Sequence, residues 1–467
     1  MILKQYYLGC LAHASYLVGD EEAKSAAVVD PQRDVDQYLR DAERLGVRIG
    51  HVLLTHFHAD FLAGHLELRE RTGARIYLGA AAEAEFEFTP MHDGGTLPLG
   101  RILLKFMETP GHTPEGVSIA VFDLGVSEVA PHAVLTGDTL FVGDVGRPDL
   151  MASVGLSAAE LAGRLYRSLR DKLLTLPDAT LVYPAHGAGS MCGRQLSTET
   201  VSTIGDQRRF NYALQPMSEE EFVRMMTADQ PEAPRYFSHA ARLNRSERAT
   251  LDESLARMLR PLLLDEVLRM AADGAQLLDV RGAASHAASH LRGAINIGLD
   301  GKFATWAGSL LDRERPIILI GDPGTEPEGA TRLGRIGLDR VAGYLETGML
   351  ALRGRDDLLE QIARIDPSAL QERLGRSDPP ALLDVRNARE WEEARIEGSV
   401  NVPLAHLERR IAELPSDGAL VVYCATGYRS STAAGILQRH GRSAVLDLAG
   451  GFSAWQAGGH PAALAAG

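Results

Sequence analysis

The block Gln276-Leu-Leu-Asp-Val-Arg281 returns as Ala381-Leu-Leu-Asp-Val-Arg386. Gly293-Ala-Ile-Asn296 returns as Gly398-Ser-Val-Asn401, and both pairs are offset by 105 residues. One offset shared by two separate blocks marks a duplication. A period of about 20–50 residues would build a solenoid, whereas this longer one fits two copies of a whole α/β domain. The copies are expected over 259–356 and 357–467, with a junction near 354–367. Residues 1–258 then form a separate part, and a chain of 467 residues suits about three domains.

Composition removes several classes. The net charge is −14 and no Lys/Arg block occurs, so a nucleic-acid partner is not expected. No apolar run approaches the ~18–20 residues that span a bilayer, so no membrane partner is expected either. The segment Met1–Tyr7 has no export pattern. Three cysteines, Cys10, Cys192 and Cys424, lie far apart and cannot all pair within the chain. That points to a reducing cytoplasm and away from a disulfide scaffold.

The first half alternates short apolar strands with helices. Strands are expected over 26–30, 51–55, 133–137 and 180–184, and helices over 34–45, 219–226 and 246–258. Four of these strands lead toward polar residues at a turn. Thr55-His-Phe-His-Ala-Asp60 places His56, His58 and Asp60 at alternate positions. His112 follows in Thr109-Pro-Gly-His-Thr113, Asp138 in Thr136-Gly-Asp138, and His186 in Tyr183-Pro-Ala-His186. Imidazoles and carboxylates gathered at strand ends suit a borderline transition metal. One such histidine alone would be read as a capping or surface residue; four elements of one grammar, in order, are not.

These motifs resemble the metallo-β-lactamase superfamily over about residues 1–195. The resemblance implies an αββα sandwich with a metal at one edge. Hydrolases of that superfamily usually carry a second-site histidine after the aspartate, where this chain has Phe61. The pattern therefore resembles the persulfide dioxygenase branch, which implies one iron, Fe(II), held by His56, His112 and Asp138. Two histidines and a carboxylate form the facial triad of non-haem iron oxygenases. His58, Asp60 and His186 would then steady the ligands and waters, or form an alternative metal site. Arg147, in Gly143-Asp-Val-Gly-Arg-Pro-Asp149, also matches this branch; it could grip a substrate carboxylate or simply brace its loop. Cys192, in a glycine-rich loop after His186, could approach the substrate sulfur or only pack. Cys10 is expected on the first strand as a structural thiol. His65 would face the site if its segment is helical, or pack beside it.

Ala419-Leu-Val-Val-Tyr423 reads as a buried strand running into Cys424-Ala-Thr-Gly-Tyr-Arg429, with a helix expected over 430–438. A cysteine between strand end and helix start sits among backbone N–H groups that stabilise a thiolate. Arg429 would add positive charge for an anion. This segment resembles rhodanese over about residues 368–462, with Glu390-Trp391 and Gly450-Gly-Phe-Ser-Ala-Trp455 as further marks. The six-residue loop fits a sulfur-sized cradle, while related phosphatases use one residue more. In the first copy the cysteine position falls on Gly321 or Asp322, so that copy is expected to be inactive.

Together the resemblances imply a cytoplasmic sulfide-detoxification enzyme with two centres: a mononuclear iron oxidising a low-molecular-weight thiol persulfide to sulfite with O2, and a sulfurtransferase cysteine forming or using thiosulfate. A homo-oligomer is expected from related enzymes. The alternatives are a zinc thioester hydrolase of the glyoxalase II type fused to a sulfurtransferase, and a non-catalytic sulfur relay or sensor. Zinc could also occupy the iron site as purified.

Overall fold

The computed structural model describes residues 1–150, 156–194, 196–228, 230, 232–415 and 417–464. The chain divides into two compact units, Met1–Ser254 with Gly334–Gly337, and Leu255–Leu333 with Leu338–Gly467.

The first unit is built on two six-stranded sheets. One runs in chain order from Ile2–Leu8 to Thr89–Met91, the other from Ser202–Thr203 back to Thr96–Leu99. Alternation along the strands explains the layering. In Ser25–Val29, Ala27 and Val29 face the cluster between the sheets, while Val28 faces outward. In Ala133–Gly137, Ala133 and Leu135 join that inner cluster and Val134 the outer one. Strands buried on both faces read as continuous apolar runs for this reason. The outer faces are covered by helices. Tyr38 and Ala42 of helix Asp36–Leu45 pack on one side, and Leu161 and Leu165 of helix Ala158–Arg167 are buried on the other. This is the αββα sandwich expected from the sequence.

Three elements differ from expectation. The strand expected over 51–55 runs from Arg48 to Leu53. The helix expected over 246–258 begins only at Leu251. Thr250 and Glu253 exchange backbone and side-chain hydrogen bonds there, at 2.9 and 3.4 Å, in the manner of a capping box. Cys10 lies in the turn between strands Ile2–Leu8 and His13–Asp20, not on a strand. The chain reverses through Leu11 N–H to Leu8 C=O, and Ala12 takes a positive φ of 51°.

The second unit contains two five-stranded parallel sheets with one topology. The first orders Pro261–Leu262, Val341–Leu345, Ile317–Ile320, Gln276–Asp279 and Ile295–Asn296. The second orders Ala363–Ile365, Val445–Leu448, Leu420–Tyr423, Ala381–Asp384 and Val400–Asn401. The repeated motif has the same job in both. Asp384 grips Arg386 through two oxygens, and Arg386 reaches on to Ala394 C=O at 2.6 Å. Asn401 Nδ2 donates to the carbonyls of Asp384 and Arg386. Asp279, Arg281, Ser289 and Asn296 repeat this bracket in the first copy. The shared letters of the repeat are thus a buried clamp at a strand end.

The second copy centres on Trp455, 1% exposed, among Phe452, Tyr423, Leu382 and Ile396. Its Nε1 donates to Pro461 C=O at 2.8 Å. Trp455→Ala removes the largest core side chain and should cost about 3–5 kcal/mol in a urea titration of the full chain. Among the described residues, no helix is long and apolar enough to cross a membrane.

Candidate metal centre and cysteine loop

Parallel pairing brings the carboxyl ends of strands Arg48–Leu53 and Ser25–Val29 to one edge of one sheet, and those of Ala133–Gly137 and Leu181–Pro184 to one edge of the other. Gly137 lets the edges meet. Its φ is +53°, and a Cβ there would lie 2.6 Å from Thr55 Oγ1. Thr55 is anchored by Asp30, which accepts from its N–H and its hydroxyl at 2.7 Å each.

His56, His112 and Asp138 come together, with one potential ligand atom from each within 4.8 Å of the others. All three are buried. His56 Nε2 lies 3.7 Å and His112 Nε2 3.4 Å from Asp138 Oδ2. Their other nitrogens are tied off. Because the Thr55 hydroxyl donates to Asp30, its oxygen accepts from His56 Nδ1 at 3.0 Å. His112 Nδ1 donates to Arg147 C=O at 2.9 Å. Both tautomers are therefore set with the Nε2 lone pair facing Asp138. Burial holds both imidazoles below the usual histidine range, in the neutral form a metal needs. Asp138 Oδ2, buried, has no hydrogen-bond partner. An orphaned carboxylate oxygen facing two imidazole lone pairs is what a cation would satisfy, so the residues fit a divalent metal. A small pocket opens here, lined also by Thr113 and Thr139.

His186 stands beside this set. Its Nδ1 lies 2.7 Å from Asp138 Oδ1, and its Nε2 2.9 Å from Asp60 Oδ2 but off the line of a hydrogen bond. Burial alone would lower its pKa, but the two carboxylates hold it well above the histidine range. Burial likewise opposes ionisation of Asp138, yet the charge and hydrogen bond of His186 keep its carboxyl well below the usual range. His58, Asp60 and His186 also bring ligand atoms within 4.8 Å of one another, as a second group. His58 Nε2 leans on Asp30 Oδ1 at 3.2 Å.

Phe61 lies against that second group, with ring centroids 4.4 Å from His58 and 4.0 Å from His13. Cys192, 1% exposed, offers its sulfur within 4.8 Å of ligand atoms of Asp138 and His186. Burial and the carboxylates of Asp60 and Asp138 hold its thiol well above the usual range, so it stays protonated. Two residues for which the sequence left alternatives open take one of them here. Arg147 is buried, and its guanidinium is paired with Asp149 at 2.8 and 2.6 Å and with Met191 C=O. The carboxylate it grips is supplied by the chain, so it braces the loop that orients His112. His65 begins helix His65–Thr72 and packs on Phe86 at 4.7 Å, outside all the ligand groups found.

Three residues near this centre carried no sequence signal. His13 is fully buried, with neither ring nitrogen hydrogen-bonded, 5.5 Å from the rings of His58 and His186. Asn244 holds the loop after His58, accepting from Ala63 N–H and donating to the His58 and Phe61 carbonyls. Glu115 accepts from Phe57 N–H at 3.0 Å. Nothing near Asn244 in the sequence hints that it reaches back 180-odd positions.

Cys424 follows strand Leu420–Tyr423 and precedes helix Tyr428–Arg439. Gly427 N–H donates to its sulfur at 3.1 Å. Gly427 needs its glycine, with φ at +103°. Gly451 lets the next helix close on the loop, since a Cβ there would lie 2.4 Å from Cys424 O. Arg429 is held by Glu390 at 2.7 and 2.8 Å, so its charge is not free for an anion as the sequence suggested. Glu390 sits where it does because it also closes the capping box of helix Ala388–Glu393 with Asn387.

Strand register decides the cysteine's counterpart in the first copy. Asp384 pairs with Tyr423, and Asp279 pairs with Ile320. The next residues are Cys424 and Gly321, so Gly321 occupies the nucleophile's place. Thr325 Oγ1 lies 2.5 Å from where its Cβ would stand. This copy touches the active helix of the second: Tyr428 OH donates to Gly298 C=O at 2.6 Å, and Ser431 and Thr432 bond to Asn296.

Comparison with known proteins agrees with both halves. Residues 8–186 match the model of the metallo-β-lactamase superfamily, and residues 263–354 and 366–458 each match that of the rhodanese-like domain. The mitochondrial persulfide dioxygenases ETHE1 of Bos taurus and Homo sapiens are each 31% identical over 230 residues, which is 48% of this chain and 80% of theirs. The crystal structure of a metallo-β-lactamase from Staphylococcus aureus is 31% identical, with a TM-score of 0.68, over 73% of this chain and 98% of that one. The chain belongs to the metallo-β-lactamase-fold family of the ETHE1 persulfide dioxygenases, extended by two rhodanese-like domains of which the first lacks the cysteine.

Proposed function

We propose that the chain oxidises a low-molecular-weight thiol persulfide to sulfite with dioxygen, at one Fe(II) held by His56, His112 and Asp138, and moves sulfane sulfur at Cys424. The observation that carries this reading is the convergence of two tautomer-locked Nε2 atoms and one orphaned carboxylate oxygen. Bound Fe(II) would supply electrons for oxygen activation and open positions beside its three protein ligands. The conversion places two oxygens from O2 and one from water on the terminal sulfur, freeing sulfite and the thiol. The chain's own residues prepare the site. Thr55 and the Arg147 carbonyl aim the imidazoles, and His186 Nδ1 steadies Asp138 through Oδ1 at 2.7 Å.

At the second centre, the Cys424 thiolate attacks a sulfane sulfur and the leaving thiol or sulfite departs with the electron pair. The resulting Cys424 persulfide hands that sulfur to sulfite, giving thiosulfate; the reverse direction would use thiosulfate as donor.

A zinc thioester hydrolase is the second reading. The donor group of His58, Asp60 and His186 favours it, because paired ions clamp attacking and leaving oxygens. Phe61 weighs against it. Anaerobic purification, metal analysis and oxygen uptake with glutathione persulfide separate the two. Iron at about one per chain with oxygen consumption is expected. Zinc, with no uptake even after iron loading, would sink the dioxygenase reading.

A further inference from the structure

An aspartate in the middle of a parallel sheet needs a reason. Asp447 lies in strand Val445–Leu448, is 1% exposed, and pairs in register with Val422. Its Oδ1 accepts from Ser430 Oγ at 2.5 Å. Ser430, fully buried in the first turn of helix Tyr428–Arg439, lies 3.7 Å from Cys424 Sγ, which donates to it. Three groups from three elements thus form one buried chain from sulfur to carboxylate.

We propose that Asp447 takes the proton of Cys424 through the Ser430 hydroxyl. This deepens the sulfurtransferase reading and rests on it, since it explains how the nucleophile is made. The Cys424 S–H bond breaks and its proton joins Ser430 Oγ. The Ser430 O–H bond breaks in turn and its proton joins Asp447 Oδ1. The electron pair of the S–H bond stays on sulfur. The total charge of the three groups is unchanged, so no ion enters or leaves the buried site. The charge moves from a desolvated carboxylate to a sulfur that Gly427 N–H already faces at 3.1 Å.

The surroundings suit this direction. Burial pushes the Asp447 carboxyl up to about 6, while Ser430 and Arg364 pull the other way. A carboxylate that binds its proton near neutrality can accept one from a thiol, where an ordinary surface aspartate could not. Arg364 reaches Asp447 Oδ2 at 3.2 Å from the neighbouring strand Ala363–Ile365, and its side chain is one-third exposed, which screens it. On the Cys424 side, the charge of Arg429 is shared with Glu390 and Asp384, and Asp384 is itself paired with Arg386. None of these pairs has an unclaimed base. Ser430 touches the reacting sulfur; Asp447 is a positioning residue that acts through it.

The test needs no sulfur donor. The full chain is alkylated with iodoacetamide from acid to alkaline pH, and Cys424 is followed by peptide mass spectrometry, apart from Cys10 and Cys192. With the relay, proton removal in step with attack adds rate at neutral pH, and Asp447→Asn and Ser430→Ala both lose that added rate. Alkylation then slows about tenfold at neutral pH, with rates rejoining wild type at the alkaline limit, where the thiol ionises without help. That limit confirms that access to Cys424 is intact. If Asp447 is merely a buried charge beside the thiol, the opposite follows: Asp447→Asn removes a repelling anion and alkylation becomes faster. Faster or unchanged rates in either variant overturn the relay. Should Asp447→Asn fail to fold, seen as a shifted tryptophan emission, Ser430→Ala carries the same prediction with Asp447 intact. A separate incubation of wild type with thiosulfate judges the transferase reading: no gain of sulfur on Cys424 rejects that reading, whatever the alkylation profile shows.

Discussion

His56→Ala is expected to abolish oxygen uptake with a persulfide substrate while leaving sulfur transfer from thiosulfate to cyanide unchanged. The substitution removes one of only three donor atoms in the proposed iron set. Groups that merely hold a ligand in place are worth about 10–100-fold in metal affinity, and loss of a ligand exceeds that. Iron content should therefore fall below what metal analysis detects after gel filtration. The fold should survive. Asp138 keeps its contacts with His186 and His112, and Thr55 keeps its bonds to Asp30. A melting temperature within a few degrees of the metal-free wild type checks this. Equal loss of both activities would contradict separate centres. Oxygen uptake at the wild-type rate would remove His56 from the ligand set.

Cys424→Ser is expected to do the reverse. Thiosulfate:cyanide transfer should fall by more than about 10³-fold, because a serine hydroxyl is a far weaker nucleophile than a thiolate at neutral pH and cannot carry a sulfane sulfur. The change is nearly isosteric, so Gly427 N–H still has an acceptor and the loop should hold. Oxygen uptake should continue, with sulfite accumulating where the wild type forms thiosulfate. Ion chromatography of the products reads this directly. Thiosulfate at the wild-type level would show that Cys424 is not the carrier.

Much of the fold is legible in the sequence. The 105-residue offset announced two copies of one domain, because a strand-end clamp of Asp, Arg and Asn must recur wherever the same sheet is built. Apolar runs such as Ala133–Gly137 matched their strand to the residue, since a strand buried on both faces has no polar position to blur its ends. Boundaries slipped where a side chain made a local choice, as at Thr250, whose bond to Glu253 starts the helix late. The candidate ligands were legible as residue types at strand ends. Their partners were not, because a partner from a distant segment leaves no trace in local spacing. Arg429 looked like a free cation in one dimension and Arg147 stood between two readings, and each is held by a carboxylate of its own domain.

The sequence by itself determined the class of each centre: a run of imidazoles and carboxylates for a metal, and a cysteine between strand and helix for sulfur. Those identities depend on chemistry that only certain side chains possess. Only the tertiary structure decided which atoms meet. Sheet register put Gly321, not Asp322, at the silent cysteine position. The approach of two sheet edges at Gly137 turned three scattered donors into one set with fixed tautomers. Packing of Val445–Leu448 beside the cysteine strand brought Asp447 to Ser430, a proximity that depends on folding free energy summed over the whole core and not on any neighbouring letter.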